Sequence, residues 1–287
     1  MLQSLQNTVR EPSGTKAAIR QALMSPAGLR VVWVVVEAEE DVAVYEKFMQ
    51  RNSTVVKTSE GETGRKGYAN VETIVREVKE EEPRAHIMGI RDTDYTRYVD
   101  GYEAPVNIFL TDHRDLEMML LDSDSVRQSL RAWAPTYDDA FTKCVLICRH
   151  FGYLRIYNEV ADLTVRFHDN LRPNKYWDYQ QQMMKPSWKK DCTAKFVALS
   201  EGKCAATDVN AFITTHKLED ENLYDICRGH DMLKLLSLYL VNVQTYSVEA
   251  IMAKMTEAYS IDDFKKTQLY ASILAWQTSE GVTALVA

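Results

Sequence analysis

The sequence predicts an α/β protein in which a parallel β-sheet with helices on both faces is followed by a mainly helical second half. In the first third of the chain, short β-branched runs alternate with segments of helical periodicity, which is the pattern of βαβ units. The run at residues 29–37 is continuously apolar, as in strands that a parallel sheet buries on both faces. After residue 122 the periodicity is helical almost throughout.

The elements of the sheet are predicted in order from these two patterns. A short apolar run between turn-forming residues predicts a strand, and apolar residues three or four positions apart predict a helix. In chain order the prediction is a helix at 15–24, a strand at 29–37, a helix at 42–51, a strand at 54–58, a helix at 70–82, and strands at 86–91 and 106–110. Asn70 is the expected N-cap of the third helix, and Pro83 ends it.

The second half is predicted to be helical because amphipathic segments follow one another without a strand pattern. These helices are expected at 125–133, 137–151, 191–200, 208–215, 230–241, 248–259 and 261–276. The stretch 171–190 is rich in aromatic, Gln, Pro and Lys residues and is predicted to be irregular. We therefore expect a lead-in segment at 1–28, a catalytic α/β domain at 29–122 and a helical domain at 123–287 that packs on it.

Composition places the chain among ordinary globular proteins. It has 287 residues, of which 46% are hydrophobic and 26% charged, and its net charge is −7. No apolar run approaches the roughly 20 residues of a membrane span, and no signal-peptide pattern opens the chain, so we expect a cytoplasmic protein without membrane contact. The five cysteines include no Cys-x-x-Cys pair and are expected to be reduced core thiols. The acidic balance argues against broad coating of nucleic acid but allows a focused site.

Two acidic clusters stand where predicted strands end. Glu37 ends the first strand and Asp41 follows four residues later, while Asp92 and Asp94 follow the third strand. Because ligands bind beyond the carboxyl ends of parallel strands, these carboxylates should converge there. Asp92 and Asp94 should point to the same side if the segment is extended. Several close carboxylates need a cation among them, and hard oxygen ligands suit Mg²⁺ or Mn²⁺, so all four are candidate metal ligands.

A third acidic cluster follows the fourth predicted strand. Thr111 or Asp112 is the expected cap of the next helix, with Asp115 in its first turn. Glu117 lies among apolar residues, where a charge is costly unless it is paired or metal-bound. Its position makes it a candidate catalytic carboxylate. His113 could be a general base or a structural histidine at a helix start.

Basic residues near these clusters are candidates for holding a substrate phosphate. They are Arg114, His230 and Lys234, of which the last two open an apolar helix after Gly229. A further stretch mixes aromatic and basic side chains, which is a weak signal for stacking on nucleic acid. It contains Trp177, Tyr179, Lys185, Trp188, Lys189 and Lys190, and a packed, partly exposed loop is the alternative.

The three acidic clusters together resemble the Toprim fold of topoisomerases, primases and overcoming-lysogenisation-defect nucleases. In that family one strand ends in Glu-Gly with an Asp a few residues on, and a later strand ends in Asp-x-Asp. Glu37 and Asp41 match the first motif, and Asp92 and Asp94 match the second. The family's glycine is Ala38 here, which fits only if its φ is negative, so this departure puts the local geometry and the activity in doubt.

More closely, the chain resembles the Toprim-like group catalogued as domain of unknown function 4435. That group adds a Thr/Asp-to-Glu element, matched by residues 111–117, and a Gly-x-Asp before an apolar helix, matched by residues 229–231. It includes the AriB effectors of PARIS anti-phage systems, which pair with an ABC-type ATPase. The resemblance implies a Rossmannoid sheet and a metal-dependent nuclease acting on structured RNA such as tRNA. It also implies a toxin that a partner holds in check until infection.

Two other functions remain open at this point. Residues 92–96 fit the Asp-x-Asp-x-Thr motif of haloacid-dehalogenase-like phosphatases, although that motif usually ends the first strand and here ends the third. A Toprim scaffold could also serve as a non-catalytic interaction module. The helical second half could serve homodimerisation, partner docking or substrate selection, and the sequence does not distinguish an RNA substrate from DNA.

Overall fold

A four-stranded parallel sheet is the centre of the first part of the protein. The computed structural model describes residues 13–59, 67–167, 171–240 and 246–286. The strands are β1 (Val32–Val36), β2 (Thr54–Thr58), β3 (His86–Arg91) and β4 (Ile108–Leu110), in the spatial order β2-β1-β3-β4. Helices flank the sheet and the later part of the chain is mostly helical, so the predicted α/β class is confirmed. β2 and β3 occupy the residues predicted for them.

The sheet is buried on both faces, which explains the uninterrupted apolar run of its first strand. All five residues of β1 are buried. Trp33 and Val35 alternate onto one face, where they pack with two helices, α1 (Ser13–Leu23) and α3 (Gly67–Glu81). The helices contribute Ile19, Leu23, Val71, Ile74, Val75 and Val78 to this core. The helix of the predicted lead-in segment is therefore part of the sheet's core, while residues 1–12 lie outside the described residues.

Between β1 and β2 the observed helix differs from the prediction. This helix, α2 (Glu39–Tyr45), begins earlier and ends earlier than the predicted 42–51. The apolar residues beyond it, Phe48 and Met49, are buried for another reason. Met49 forms a β-bridge with Leu285, and the Val286 N–H donates to the Phe48 carbonyl at 2.9 Å. Long-range pairing, rather than helix periodicity, thus explains the spacing that the sequence shows.

The remaining helices cover most of residues 116–280. They are α4 (Leu116–Asp122), α5 (Asp124–Trp133), α6 (Tyr137–Val160), α7 (Trp188–Leu199), α8 (Ala206–Thr215), α9 (Leu223–Ile226), α10 (Gly229–Tyr239), α11 (Val248–Ala258), α12 (Ile261–Phe264) and α13 (Gln268–Glu280). The single helix predicted at 261–276 is two helices, because Thr267 caps α13 by accepting the Tyr270 N–H at 3.0 Å. The stretch predicted to be irregular contains a short antiparallel hairpin, β5 (Trp177–Asp178) and β6 (Met183–Met184).

The chain divides into two compact units that differ from the domains predicted at 29–122 and 123–287. The sheet unit comprises Met1–Thr93, Glu103–Asp112 and Ser260–Ala287, and the helical unit comprises Asp94–Tyr102 and His113–Tyr259. The last two helices therefore belong with the sheet, which no local pattern indicates. Among the described residues no helix is long and apolar enough to cross a membrane. All five cysteines are buried and unbridged, as predicted.

Candidate functional site

Two of the predicted site carboxylates meet at the carboxyl edge of the sheet. β1 and β3 are parallel neighbours, with Val35 opposite Gly89, so the residues that follow the two strands lie side by side. The backbone N–H of Asp92 donates to Glu37 Oε1 at 2.9 Å. Both side chains are partly exposed and therefore accessible to a ligand. We call Glu37 and Asp92, with their neighbours Gly67 and Arg91, the strand-end cluster.

Gly67, the first residue of α3, packs directly against the Glu37 carboxylate. A Cβ built on Gly67 would lie 2.6 Å from Glu37 Oε2, which is closer than side-chain atoms pack. The helix backbone can approach this carboxylate because position 67 has no side chain. Helical periodicity gave no indication of this contact, and it also misplaced the helix start. The predicted N-cap, Asn70, lies inside α3 and is buried.

A buried arginine ends β3 directly before Asp92. Arg91 is 3% exposed and forms an ion pair with Glu72 at 2.9 Å. Its guanidinium carbon lies 4.9 Å from the centre of the Tyr68 ring, and Nη1 donates to the Asp92 carbonyl at 2.9 Å. The arginine therefore fixes the backbone that carries the Asp92 side chain and places a positive charge beside the acids. Sequence reasoning missed this role, although a charge ending an apolar strand was a visible signal.

Asp41 and Ala38 form the start of α2. Ala38 is the N-cap with φ −127° and ψ 167°, an extended conformation that alanine adopts without strain. Its N–H donates to Asp41 Oδ2 at 2.9 Å, so the Asp41 carboxylate closes the helix start as in a capping box. The condition that the sequence set for Ala38, a negative φ, is met. For Asp41 the geometry supplies a structural role beside the predicted role in metal binding.

Asp94 does not continue the strand, so the expected alternation of Asp92 and Asp94 is wrong. β3 ends at Arg91, and Asp94 has a φ of 49°, in the left-handed region that Asp tolerates better than most residues. Its backbone N–H donates to the Arg114 carbonyl at 2.7 Å, and its carboxylate pairs with the Arg114 side chain at 3.0 Å. Asp94 belongs to the helical unit, where it is part of a second cluster.

Arg114 is the centre of that second cluster, which we call the Arg114 cluster. The side chain is buried, pairs with both Asp94 and Asp115, and lies over the Tyr95 ring with 4.5 Å between the guanidinium carbon and the ring centre. Sequence reasoning left open whether Arg114 holds a phosphate or one of the acids. The structure places it between two acids, so its charge is already matched by carboxylates.

Asp115, rather than Thr111 or Asp112, caps the helix after β4. Its Oδ1 accepts the Met118 N–H at 3.1 Å, and Oδ2 accepts the Gly229 N–H at 2.9 Å. One buried carboxylate thus satisfies the starts of two helices, α4 and α10. The predicted cap was wrong because α4 begins only at Leu116.

The two residues predicted to cap α4 have other partners within the sheet unit. Asp112 accepts the backbone N–H groups of Gln268 and Leu269 at 2.6 and 2.8 Å, so it caps α13. The Thr111 hydroxyl accepts the Thr93 N–H at 3.0 Å. Both residues satisfy donors far away in sequence, which a local capping pattern cannot reveal.

Inside the helical unit, Gly229 of the predicted element at residues 229–231 lies against Asp115 and Glu117 of the element predicted at 111–117. A Cβ on Gly229 would overlap both Asp115 and the Glu117 side chain, so only glycine allows this approach. Glu117 is partly exposed, and its predicted catalytic role stays a prediction. Asp231 forms a buried ion pair with Arg155 of α6 and therefore ties α10 to the helix core. The two motifs lie against each other at Gly229, and Asp231 has a packing role.

The two remaining phosphate candidates lie on α10. His230 and Lys234 are both exposed. Partial desolvation and the positive charge of Arg228 lower the pKa of His230 below its usual value, so the ring is neutral at pH 7. A neutral imidazole contributes little to holding a phosphate. Lys234 is an exposed basic residue on the same helix and stays a candidate for that role.

His113 is a partly buried histidine that lies between two carboxylates. Its Nδ1 lies 3.0 Å from Asp225 Oδ1 and its Nε2 lies 3.0 Å from Asp122 Oδ2. Burial alone would lower the pKa of His113, but the hydrogen bonds to Asp122 and Asp225 outweigh it and raise the pKa to about 9. With both ring nitrogens protonated, His113 has no lone pair with which to accept a proton. The open choice between general base and structural histidine therefore falls to the structural role.

The strand-end cluster fits a divalent cation in the chemistry of its donors. In the parts of the chain that the structure describes, no group of three or more His, Cys, Asp or Glu side chains is gathered as a complete protein cage. Mg²⁺ rarely needs one, because it keeps several waters and is usually held by one or two carboxylates together with substrate phosphates. Glu37 and Asp92 supply two such carboxylates, side by side and accessible.

Comparisons of the chain with models of known protein families and with curated proteins found no match. The resemblance to Toprim proteins therefore stays a prediction carried by the motifs themselves. Glu37 of the first motif and Asp92 of the second are adjacent in the sheet unit, and Asp115 and Glu117 lie against Gly229 in the helical unit.

Proposed function

We propose that this protein is a metal-dependent endonuclease of the Toprim type that hydrolyses phosphodiester bonds in nucleic acid, with structured RNA such as tRNA as its substrate. One observation carries the proposal. The Glu37 carboxylate, after β1, accepts the backbone N–H of Asp92, after the neighbouring parallel strand β3, so these two acidic residues are adjacent. This edge of an open α/β sheet is where ligands bind, and two accessible carboxylates there suit Mg²⁺ or Mn²⁺.

The proposed mechanism assigns separate tasks to the residues of the strand-end cluster. When bound, the metal supplies positive charge that stabilises the charge growing on the scissile phosphate. Asp92 and Glu37 would hold it, or Glu37 would instead accept the proton of the attacking water as that water bonds to phosphorus and the bond to the leaving oxygen breaks. The Asp92 N–H and the Gly67 backbone orient Glu37 from two sides, and Arg91 fixes the strand end. Preorganisation of this kind lowers the cost of reaching the transition state.

Other parts of the proposal come from the sequence alone, either from its acidic clusters or from the resemblance. They are the further catalytic or metal-binding carboxylates Asp41, Asp94 and Glu117, an ABC-type ATPase as partner, a role as toxin in anti-phage defence, and homodimerisation. A net charge of −7 fits a basic partner surface. These parts need variants and partners of their own, beginning with Asp94→Asn and Glu117→Gln.

The test compares the wild type with two double variants that remove the same number of charges. Glu37→Gln/Asp92→Asn changes the strand-end cluster, while Glu39→Gln/Glu40→Gln changes two exposed acids in the first turn of α2. Each protein is incubated with total tRNA or plasmid DNA in Mg²⁺, Mn²⁺ or EDTA. We expect cleavage by the wild type and the control pair, and none by the cluster variant or in EDTA.

A titration calorimetry experiment with Mn²⁺ gives a second readout that needs no substrate. The wild type and the control pair should bind the ion, and Glu37→Gln/Asp92→Asn should bind it at least 10-fold more weakly, since two ligands are changed. Cleavage that persists in the cluster variant, or metal binding equal in all three proteins, would contradict the proposal.

The alternatives make different predictions for the same variants. A haloacid-dehalogenase-like phosphatase would form an acyl phosphate on Asp92, detectable by mass spectrometry after reaction with a phosphomonoester. A non-catalytic module would keep its partner binding in the cluster variant. Ala38 no longer favours the second alternative, because its backbone conformation is an ordinary one.

A further inference from the structure

The hairpin region of the helical unit concentrates positive charge in an acidic protein. Residues 171–190 contain five basic residues and one acidic residue, a net charge of +4 in a chain whose net charge is −7. All five basic side chains are exposed; they are Arg172, Lys175, Lys185, Lys189 and Lys190. The rest of the chain therefore carries an even larger negative excess, which makes this segment the exception.

The lysines at the end of this segment carry charge that other side chains do not offset. Within the described ranges, Lys185, Lys189 and Lys190 form no ion pair, whereas lysines elsewhere do, such as Lys143 with Asp139 at 2.7 Å. The one acid of the segment, Asp178, is used differently, since its Oδ1 accepts the backbone N–H groups at positions 180 and 181 at 2.9 and 3.1 Å. The acid shapes the hairpin turn and leaves the ammonium groups to the solvent.

The aromatic residues of the segment divide into anchors and one exposed ring. Trp177 is buried and packs edge-on against Tyr239, with 4.6 Å between ring centres. Trp188 is stacked on Phe151 at 6.3 Å with an angle of 8° between the rings. Trp177 is thus packed inside the unit and Trp188 is packed with part of its surface exposed, which favours the alternative of a packed loop for both. Tyr179, in the hairpin turn, is 68% exposed and can stack on a ligand.

We propose that the surface formed by Lys185, Lys189, Lys190 and Tyr179, here called the basic hairpin surface, binds an unpaired segment of nucleic acid. Lysines attract the phosphate backbone, and an exposed aromatic ring stacks on a base only where the base is unpaired. An acidic protein can bind a polyanion if the contact is confined to such a surface. The inference deepens the proposed nuclease function by naming the substrate class and the residues that hold it.

The test measures binding by the fluorescence anisotropy of two fluorescein-labelled probes, a 20-nucleotide oligo(U) and a duplex of the same length. Binding is measured in EDTA, which stops metal-dependent cleavage. Lys185→Gln/Lys189→Gln/Lys190→Gln is compared with Lys203→Gln/Lys217→Gln/Lys265→Gln, a matched set of exposed lysines. We expect at least 10-fold weaker binding in the hairpin variant and less than 2-fold in the control. The slope of log K against log salt should fall by about 2, since each single-strand phosphate contact contributes about 0.7.

Tyr179→Ala tests the stacking contact. It should weaken single-strand binding by roughly 5-fold or more and leave duplex binding unchanged, because only unpaired bases offer a face to the ring. Circular dichroism melting curves confirm that the variants are folded, which is expected for exposed positions. The same single strand made as DNA shows which sugar the surface prefers.

Three outcomes would overturn the inference. They are equal losses in the hairpin and control variants, no binding of any oligonucleotide by the wild type, and binding of a labelled poly-glutamate peptide as tight as that of RNA. Failure of the nuclease proposal is distinguishable, because binding in EDTA that depends on the hairpin lysines would stand even if no metal restored cleavage.

Discussion

Glu37 is the residue on which the proposed chemistry depends most. Its carboxylate is held by one hydrogen bond from the Asp92 backbone and by the close approach of Gly67. Both of these partners act through their backbone, so backbone geometry contributes to the position of the carboxylate. A change in that backbone should therefore alter activity without removing any charge.

Gly67→Ala tests this arrangement. Gly67 lies in α3, where alanine has the higher helix propensity and restricts the unfolded chain more than glycine does, so the melting temperature should stay the same or rise slightly. The new Cβ would lie 2.6 Å from Glu37 Oε2 and must displace the carboxylate. We expect cleavage to fall at least 10-fold and Mn²⁺ binding to weaken, measured by kcat/KM and by titration calorimetry.

The control is Ala38→Gly, which restores the glycine of the family motif directly after Glu37. Because Ala38 already has an ordinary extended conformation, we expect a cleavage rate within 2-fold of the wild type. Full activity of Gly67→Ala at unchanged metal affinity would show that the close packing has no functional role.

At the scale of single elements, local patterns predicted strands better than helix ends. β2 and β3 lie at the predicted residues because each is a short apolar run between clear turn signals. Helix starts were misplaced where the cap comes from far away. Asp112, for example, caps α13 from 156 positions earlier in the chain. Hydrophobic periodicity and helix propensity are local properties of the sequence, whereas a capping residue from a distant segment is positioned by tertiary packing.

The sequence likewise predicted some features of the candidate site and not others. The meeting of Glu37 and Asp92 could be predicted, since both follow strands of one parallel sheet and such ends share an edge. The roles of Gly67 and Arg91 could not, because close backbone approach and burial leave no periodic signal. The direction of the Asp94 side chain was predicted wrongly, because its left-handed φ ends the alternation of side chains along the strand.

His113 links three segments of the helical unit and should make its stability depend on pH. It bonds to Asp122 at the end of α4 and to Asp225 in α9, and its pKa is raised from 6.5 to about 9. A raised pKa means that the charged form stabilises the fold. This contribution is complete below pH 6.5 and is lost as the pH rises through 9.

We expect the free energy of unfolding to fall by roughly 1–3 kcal/mol more in the wild type than in His113→Asn between pH 6.5 and 9.5. The pKa shift of His113, taken in full, would correspond to a larger change in the free energy of unfolding. Asp122 is 42% exposed, however, and solvent screens its charge. Urea unfolding at a series of pH values measures the difference. His216→Asn, at an exposed histidine, is the control and should follow the wild type. Parallel curves for wild type and His113→Asn would contradict the assignment.

At the scale of the whole chain, the sheet unit is assembled from three separate segments, the last of which begins at Ser260. That segment packs into the core of the sheet unit and forms hydrogen bonds with its other two segments. Phe264 stacks on Phe48 at 4.7 Å, Trp276 Nε1 donates to Asn107 at 3.1 Å, and the Gln50 N–H donates to Ala284 at 2.7 Å. Its most buried side chains belong to Phe264, Leu269, Ile273, Ala284 and Leu285.

A chain ending at Tyr259 should therefore lose the fold of the sheet unit, although every strand is still present. Burying one large apolar side chain contributes about 1.5–3 kcal/mol, so four of them contribute as much as the 5–15 kcal/mol that stabilises a typical domain. Hydrogen exchange at β1 and β3 should become fast in the truncated chain. Persistent protection of these strands would show that the sheet is stable without the last segment.

A pair of neighbouring substitutions in α13 gives the graded form of this prediction. Ile273 is fully buried and Leu274 is 41% exposed, so the two side chains differ in burial while they share a helix and nearly the same volume. Ile273→Ala should destabilise the protein by about 2–5 kcal/mol, and Leu274→Ala by less than about 1 kcal/mol. Thermal or urea unfolding measures both. Equal costs would mean that α13 does not pack on the sheet unit in solution.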